Sequence, residues 1–489
     1  MTELCGNEQA SSTTVSRPFD VNRWSDYPEL NNCLTALVRE IEGGEDRQRK
    51  RGSKDARRFR DAVRSLVLDL YVAWKTDPAL NVAISLSNGN YTKSTRYDAL
   101  FIRYTSFVAA FSGLEAAGYL KRTRNGFHDP RTGRGRVTRI KAEPKLIESL
   151  TAEAKLTVPA ISQRTTGTET ILLRDEKSTK SGQAKLLEYE DTAETLSMRA
   201  NLQCINEYLQ RHWIDIQISD AEFRSLQARM RRDHADNDRE RPFIDFGHRS
   251  LVRIFNNADW NQGGRFYRGW WQGIPKAYRR YITIDGKRTV EVDYSGLHVH
   301  MLYAEAGERL DGDAYDLGNP DIDRDLIKKV FNAMLNAKER IDKPERFEER
   351  SGGLTFKQLQ SEISIKHDPI KHFFNTGYGL KLQRRDSDLA EAVMLHFFRM
   401  NYICLPVHDS FLVHHALRDE LKDIMSKEYT KLFGSNISVK ETLGSDPILE
   451  QGIPDGYPVS MDIATMLKPT GLYAGYEQRL TDWRSYREH

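Results

Sequence analysis

Apolar residues recur at helical spacing in the first third of the chain. Between residues 57 and 77 the pattern predicts one amphipathic helix, with apolar positions at Val63, Leu66, Val67, Leu70, Val72 and Trp74. A second apolar stretch over residues 96–118 predicts another helix that stops at Gly118, after which Tyr119 and Leu120 begin an extended piece. Two strand-like pieces follow around a turn of Asp-Pro and Thr-Gly dipeptides at residues 129–133.

The predicted hairpin is basic, and its cationic side chains are Arg131, Arg134, Arg136 and Arg139. Helices followed by such a hairpin resemble a winged-helix DNA-binding domain, in which the arginines would contact phosphates or the minor groove. This resemblance predicts a winged-helix-like domain over residues 51–150. An ordinary helix-hairpin subdomain with a solvated basic loop is the alternative.

The same pattern predicts where the other regions begin and end. Residues 1–50 read as a poorly ordered polar segment, and residues 151–190 as a linker rich in Thr, Ser, Gly and Lys. Residues 191–262 read as a helical region, and residues 263–489 hold the candidate chemistry and a C-terminal extension. A chain of 489 residues is expected to form two or three domains.

Composition and charge narrow the class of protein. The net charge is only +3, but residues 47–60 carry eight basic side chains and one acid. Such a block is a solvated helix face, a disordered arm or a phosphate-binding surface. The four cysteines do not form CxxC pairs, which predicts a reduced cytoplasmic protein without structural zinc. The sequence shows neither a secretory leader nor an apolar run of about 20 residues, so no membrane partner is expected.

Two aspartates in the C-terminal half are presented by strand-like segments. TVEVD, residues 289–293, alternates as a strand and ends at Asp293, before a turn and a helix. Two apolar pieces over residues 403–415 flank His408-Asp409-Ser410, which predicts a hairpin with Asp409 at its tip. Two such carboxylates can bridge a pair of Mg2+ or Mn2+ ions about 3.5–4 Å apart.

Two further elements suit nucleotides and nucleic acid. Residues 321–340 predict a helix on which Arg324 and Lys328 share one face, where they could hold a triphosphate. A solvated charged face is the alternative. The segment 263–287 is rich in arginine and aromatic residues and could follow a nucleic-acid backbone while stacking on bases.

In this order, these elements resemble the palm and fingers of family A DNA polymerases and of the related single-subunit phage-type RNA polymerases. Asp293-Tyr294-Ser295 is similar to motif A, Arg324 with Lys328 to motif B, and His408-Asp409-Ser410 to motif C. Residues 264–275 resemble the segment ahead of motif A, and residues 382–398 the helix before motif C. The resemblance covers about residues 240–425 and implies an α+β right-hand fold, with the helices of residues 190–240 as a thumb or as support for the palm.

The resemblance also implies roles for individual residues. Asp293 and Asp409 would bind two metal ions, and Lys328 would be a possible proton donor to pyrophosphate. The nucleotide would contact Arg324, Lys328, Asn332, Asn336 and His298. The primer-template would contact Arg265, Arg268, His408 and Gln383.

The chain departs from the family at positions that matter for selectivity. His298 stands where the DNA polymerases carry the Glu that excludes the ribose 2′-hydroxyl. Asn332 replaces the aromatic residue that DNA polymerases place after the motif B Lys, and Asn336-Ala337 replaces the family's Tyr-Gly. A competing placement of motif B, at residues 373–379, does contain Tyr378-Gly379 but leaves only about 30 residues before motif C.

The sequence therefore predicts a template-directed nucleotidyltransferase that uses a DNA template-primer and nucleoside triphosphates. DNA synthesis is narrowly favoured over RNA or primer synthesis, and no segment resembles a proofreading exonuclease. Two other classes stay open: a DNA-binding replication or defence factor with an inactive palm, and a template-independent transferase. A compact polymerase joined to a winged helix suggests a plasmid, a phage or another mobile element in a bacterial cytoplasm.

Overall fold

The computed structural model of the protein has a mixed α/β fold of two compact units. It describes residues 16–91, 95–97, 101–129, 131–132, 135–164, 167–176, 184–233, 243–441 and 472–488. Unit 1 comprises Met1–Thr168, Ile218–His248 and Leu467–His489, and unit 2 comprises Glu169–Gln217 and Arg249–Met466. None of the helices in the described ranges is long and apolar enough to span a bilayer.

Helices and strands are numbered in chain order over the described residues. Those of unit 1 are β1 (Ser16–Pro18), β2 (Arg23–Trp24), α1 (Pro28–Gly43), α2 (Ser53–Thr76), β3 (Asn81–Ile84), α3 (Tyr104–Ala116), β4 (Leu120–Arg124), β5 (Phe127–His128), β6 (Gly135–Arg136), β7 (Thr138–Ala142), α4 (Pro144–Glu148), β8 (Ser162–Gln163), α6 (Asp220–Asp233) and α14 (Ala474–Glu488).

Those of unit 2 are β9 (Ile171–Leu173), α5 (Ala193–Gln210), β10 (Ile214–Ile216), β11 (Val252–Asn256), β12 (Asp259–Tyr267), α7 (Lys276–Arg279), β13 (Ile282–Ile284), β14 (Lys287–Tyr294), α8 (Leu297–Glu305), α9 (Arg324–Asn336), α10 (Phe347–Arg350), α11 (Phe356–Lys366), α12 (Gly379–Arg399), β15 (Leu405–Val407), β16 (Ser410–His414), α13 (Arg418–Phe433) and β17 (Val439–Glu441).

Unit 1 is built around α2, whose apolar residues are almost completely buried. One of its sheets has the order β1-β3-β7-β4, in which β7 pairs antiparallel with both β3 and β4. The two-stranded pair of β5 and β6 extends from the β4–β7 connection, as the sequence predicted for a hairpin. The predicted helix of residues 96–118 is shorter, because α3 begins only after the extended residue Arg103.

The prediction that residues 1–50 are poorly ordered is wrong for residues 16–50. Two buried arginines of this segment, Arg17 and Arg23, donate to the carboxylate of Asp69 on α2, and Arg23 also pairs with Asp245. Buried ion pairs between distant parts of a chain are not visible in a local polar pattern. Residues 1–15 lie outside the described ranges.

The basic block of residues 47–60 is largely the start of α2 and its approach. Arg51 pairs with Glu42 at the end of α1 at 2.9 Å, and Arg60 donates to the carbonyl oxygen of Asn31 at 2.8 Å. These contacts match the helix-face alternative for this block better than the disordered arm.

Unit 2 contains two sheets that share α12 as a neighbour. The larger sheet has the order β10-β13-β14-β16-β15, and β17 pairs with the C-terminal end of β14. The smaller has the order β12-β11-β9, and α12 packs along β12. The larger sheet presents the ends of β14 and β16 as neighbours, which positions the candidate site.

Three predicted segments need correction in this unit. The linker of residues 151–190 contains β9, whose three consecutive apolar residues are buried and pair in parallel with β11. The region of residues 191–262 is not wholly helical, because it includes β10, β11 and part of β12, and α6 belongs to unit 1. The helix predicted over residues 321–340 spans only Arg324–Asn336, because the side chain of Asp323 caps its first turn and Ala337 is extended.

Helix α5 packs as a support within unit 2. Asn201 donates to Glu391 on α12 at 3.0 Å, and Glu194 accepts from Arg384 on α12 at 2.7 Å. Of the two sequence-based interpretations of this helix, these contacts favour support over a separate thumb.

Candidate active site

The two predicted metal-binding aspartates lie close together, one near the end of β14 and one in the turn that leads into the neighbouring strand β16. Asp293 is near the end of β14 and pairs in register with Ser410 at the start of β16. Asp409 immediately precedes Ser410, in the two-residue turn that joins β15 to β16. The strand pairing thus places both carboxylates at one edge of the sheet, although 116 positions separate them in the sequence.

Asp293 is in an environment that disfavours an isolated negative charge. Burial, and then the nearby charge of Asp409, raise the pKa of Asp293 from 3.8 to about 7, while Lys276 and Lys328 oppose that shift. The Oδ1 atom of Asp293 is buried without a hydrogen-bond partner. A carboxylate with an unsatisfied buried oxygen beside a second carboxylate needs either a proton or a cation.

These two carboxylates suit a divalent cation that keeps much of its water shell. Mg2+ is often held by one or two carboxylates, with water and substrate phosphates completing its octahedron. Among the described residues there is no cluster of three His, Cys, Asp or Glu side chains that could enclose a metal ion. A cation held by these two carboxylates would therefore need water or other oxygen donors to complete its coordination.

The turn that carries Asp409 is anchored by a buried polar cluster. The hydroxyl of Ser410 donates to Oε1 of Glu291 at 2.7 Å, and Arg279 donates to both oxygens of Glu291 at 2.8 and 3.0 Å. His408, in the same turn, has φ of 59°, in the left-handed region that non-glycine residues seldom occupy. The contacts of Ser410 and Glu291 hold this unfavourable turn in one conformation.

A second cluster includes two predicted substrate contacts, Arg265 and His298. The carboxylate of Asp386 on α12, which is buried, accepts from Nε of Arg265 at 3.0 Å and lies 2.8 Å from Nε2 of His298. A terminal guanidinium nitrogen of Arg265 also lies 3.3 Å from Nε2 of His298. His298, a predicted nucleotide contact, is therefore held by a buried carboxylate.

The close approach of β12 to α12 brings Arg265 to this cluster. Gly264 has φ of +83°, and a Cβ there would lie 2.8 Å from Oγ of Ser387 on α12. Beside it, Arg253 is completely buried and donates to Ser387 at 2.8 Å and to Glu391 at 2.7 Å. Glycine at position 264 thus allows the strand to lie directly against the helix.

The predicted triphosphate pair on α9 is exposed. The guanidinium carbon of Arg324 lies 5.2 Å from the ring centre of Tyr315, and Nζ of Lys328 lies 5.9 Å from it. Arg324 also pairs with both carboxylate oxygens of Asp313. The charge of Lys328 acts on Asp293, whereas Arg324 is engaged by Asp313.

The two competing motif B segments meet in space. The backbone amides of Asn375 and Gly377 donate to the carbonyls of Met334 and Ala337 at the end of α9, at 2.7 and 2.9 Å. Gly379 then lies against the side chain of Asn336. Residues 337–377 separate Tyr378-Gly379 from the end of α9 in sequence, but the two segments are neighbours in the fold.

The remaining predicted residues show varied environments. Asn336 donates to the carbonyl of Asn332 at 2.7 Å on α9. Arg268 has φ of 84°, and Gln383 is half-buried on α12. In the unit 1 hairpin region, Arg131 and Arg136 are exposed and Arg139 is half-buried, while Arg134 lies outside the described residues.

Several residues near the predicted site residues were not predicted from the sequence, namely Lys276, Asp313, Tyr315, Glu291 and Asp386. Glu291 could have been found, because it is two residues before Asp293 on a strand and so lies on the same face. Asp386 gives no comparable signal, since its partner His298 is 88 residues away.

Comparisons with known proteins add little to this geometry. No protein-family model matches the sequence, and no curated protein matches it. Among solved structures, the chain has a weak likeness to the polymerase domain of Pol1 from M. smegmatis in complex with a DNA primer-template and dNTP. The TM-score is 0.28 with 11% identity, over 55% of this chain and 57% of that one. The match thus spans little more than half of that domain, and a TM-score this low does not establish a shared fold.

Proposed function

We propose that the protein is a metal-dependent nucleotidyltransferase that extends a primer on a template, with DNA synthesis narrowly favoured. The observation that carries this proposal is the position of Asp293, near the end of β14, beside the turn before β16 that contains Asp409. Oδ1 of Asp293 is buried there without a hydrogen-bond partner. This arrangement is costly for a structural role but suits carboxylates that share cations with a phosphate substrate.

Asp293 and Asp409 would hold two Mg2+ or Mn2+ ions. When bound, such ions lower the pKa of an attacking hydroxyl and neutralise charge on a departing pyrophosphate. Because metal ligands must be deprotonated, and the pKa of Asp293 is about 7, cation binding would release a proton from this site below neutral pH.

The overall reaction joins a primer 3′-hydroxyl to the α-phosphate of an incoming nucleotide. The new bond forms between the hydroxyl oxygen and the α-phosphorus, the bond from that phosphorus to pyrophosphate breaks, and the hydroxyl proton passes to solvent water. In this scheme Lys328, on the exposed face of α9, would give a proton to the leaving pyrophosphate. Arg324 would bind the triphosphate after exchanging Asp313 for phosphate oxygens.

Sugar selection would involve the cluster of His298, Arg265 and Asp386. An imidazole held by a buried carboxylate presents a defined edge to a ligand. This is a different chemical group from the Glu of the DNA polymerases that the sequence resembles, so RNA or primer synthesis is the alternative activity. The primer-template would approach Arg265, Arg268, His408 and Gln383.

Unit 1 would supply DNA binding through its winged-helix-like part. The sheet order β3-β7-β4, with α3 directly before β4 and a basic hairpin between β4 and β7, supports this proposal. Arg131, Arg136 and Arg139 would contact phosphates, as would Arg134.

Primer extension on a labelled primer-template tests the proposal. Reactions would contain Mg2+ or Mn2+ with dNTPs or rNTPs, and an unprimed or template-free strand in parallel. We expect extension by the wild-type chain and its loss in Asp409→Asn. Asp419→Asn, which changes an exposed carboxylate on α13, is the matched control and should extend normally.

Each negative result has a defined meaning. If neither nucleotide pool is extended under either metal, primed or unprimed, the polymerase proposal fails and an inactive palm in a DNA-binding factor replaces it. Extension without a template would point to a template-independent transferase. Removal of a mismatched 3′ nucleotide by the purified chain would contradict the expected lack of proofreading.

A further inference from the structure

The hairpin of unit 1 carries an exposed aromatic residue that packing does not explain. Phe127 on β5 is 51% exposed, and Val137, next to β6, is 46% exposed. A single exposed apolar side chain is ordinary on a protein surface. Here, however, it lies on a two-stranded projection among arginines, and such a projection has no core of its own.

Phe127 is paired directly with an arginine. The register of the two strands places Phe127 opposite Arg136, whose guanidinium carbon lies 4.9 Å from the centre of the ring. Nε of Arg136 donates to the carbonyl of Asn125 at 3.0 Å, which fixes the guanidinium in this position. The guanidinium thus lies over one face of the ring, while about half of the Phe127 side chain stays exposed.

The base and loop of the hairpin hold this pair in place. The amide of Gly126 donates to Oγ1 of Thr138 at 3.2 Å, and a Cβ at position 126 would lie 2.9 Å from the amide nitrogen of Thr138. In the loop, Asp129 accepts from the amide of Arg131 and the hydroxyl of Thr132 at 2.9 and 2.7 Å. The carboxylate of Asp129 thus accepts hydrogen bonds from its own loop.

The surroundings are strongly basic. Exposed or half-buried cations on β4, β6, β7 and the loop are Lys121, Arg122, Arg124, Arg131, Arg136, Arg139 and Lys141. Lys121 pairs with Glu143, and Arg122 pairs with Glu115. Arginine-rich surfaces with an exposed aromatic ring bind nucleic acid by combining phosphate contacts with base stacking.

We propose that Phe127, together with Arg136, is a stacking platform for an unpaired nucleobase of DNA at a junction between single strand and duplex. In an intact duplex the base faces are covered by their neighbours, whereas the first unpaired base offers a free face. The surrounding arginines would contact the phosphates on either side. This inference rests on the proposed DNA-binding role of unit 1 and adds the class of DNA structure that the hairpin recognises.

The test compares binding of the full-length chain to a blunt duplex and to the same duplex with a single-stranded overhang. The first unpaired base is 2-aminopurine, whose fluorescence is quenched by stacking. We expect tighter binding to the overhang probe and a fluorescence change on binding. Phe127→Ala should abolish the fluorescence change and reduce the preference by at least about fivefold, in line with the usual effect of losing one aromatic stack.

Two further variants keep this test specific. Phe127→Trp should retain both signals, because it keeps an aromatic face. Val137→Ala changes a neighbouring exposed apolar residue and should behave as the wild-type chain does. Equal binding of the two probes by the wild-type chain, an unchanged preference in Phe127→Ala, or an equal loss in Val137→Ala would each overturn the proposal, the last by pointing to a protein-contact surface.

Primer extension separates this inference from the proposed activity. A wild-type chain that prefers the junction but does not extend a primer would refute the polymerase and leave the stacking platform supported. A chain that extends primers without any junction preference would refute the platform alone.

Discussion

The carboxylate edge of unit 2 and the basic hairpin of unit 1 present their charged side chains in opposite ways. At the carboxylate edge, the hydrogen bond of Ser410 to Glu291 anchors the turn that carries Asp409, and a buried oxygen of Asp293 has no hydrogen-bond partner. On the hairpin, most charged side chains are exposed, and several of them act together. Chemistry at a single phosphorus atom needs fixed groups, whereas following a phosphate backbone needs many weak, adjustable contacts.

The largest expected effect is on catalysis at the buried edge. Asp293→Asn removes a charge that a cation would need, so we expect primer extension to fall by at least about 10³-fold. A calorimetric titration with Mn2+ should show that the same variant binds Mn2+ more weakly than the wild-type chain does. Asp325→Asn, an exposed carboxylate on α9, is the control, and a similar loss there would mean that the effect is only one of overall charge.

The same substitution should stabilise the fold when divalent ions are absent. The pKa of Asp293 is raised in the folded chain to about 7, so between about pH 4 and 7 the folded state holds a proton that the unfolded state has lost. Stability of the wild-type chain therefore decreases as pH rises through this window.

In urea unfolding with EDTA, we expect the free energy of unfolding of Asp293→Asn to exceed that of the wild-type chain by up to about 4 kcal/mol at pH 8. The pKa of Asp293 rises from 3.8 to about 7, and each pKa unit corresponds to about 1.4 kcal/mol. The advantage should be small near pH 4. An advantage that did not change with pH would contradict the assignment of the raised pKa to Asp293.

A smaller loss of activity is expected from a substitution of Glu291, which supports the turn of Asp409 through Ser410. Glu291 accepts from Ser410 and Arg279, so Glu291→Gln weakens the anchor of the turn that carries Asp409. We expect activity to fall by about 10 to 100-fold, with a higher Mg2+ concentration at half-maximal rate.

Raising Mg2+ should recover part of the activity of Glu291→Gln, which a merely unfolded variant could not show. Glu420→Gln, on the surface of α13, should leave the Mg2+ dependence unchanged. A reduced rate with the wild-type Mg2+ dependence would argue against a positioning role for Glu291.

The smallest effects should come from single arginines of the hairpin. Arg131→Ala should weaken duplex and junction binding about equally and reduce the slope of log affinity against log salt by about 1. Fluorescence anisotropy over a range of KCl concentrations measures this slope. An unchanged slope would show that Arg131 does not contact phosphate.

The local elements of the fold were accessible from the sequence because their signals lie within short windows. The alternation of TVEVD predicted β14, the apolar spacing after residue 57 predicted α2, and the turn dipeptides predicted the β5–β6 hairpin. The ends of α3 and α9 were misplaced, because Arg103 and Asp323 begin those helices through backbone conformation and capping, which a periodicity average does not detect.

The motif B ambiguity illustrates a limit of a different kind. Read linearly, α9 and Tyr378-Gly379 are alternatives, since residues 337–377 lie between them. The hydrogen bonds of Asn375 and Gly377 to the end of α9 bring the two segments together. No local pattern shows that an intervening segment returns to its starting point, because the closing contacts are tertiary.

The sequence by itself determined the chemical groups of this protein: two strand-end aspartates, a basic helix face and an arginine-rich hairpin. The tertiary structure alone decided their partners. Asp386 lies beside His298, Glu291 anchors Ser410, and Asp69 joins Arg17 to Arg23. The reason is physical: residue type and spacing set local conformation, whereas burial and the pairing of distant charges depend on which strands and helices become neighbours.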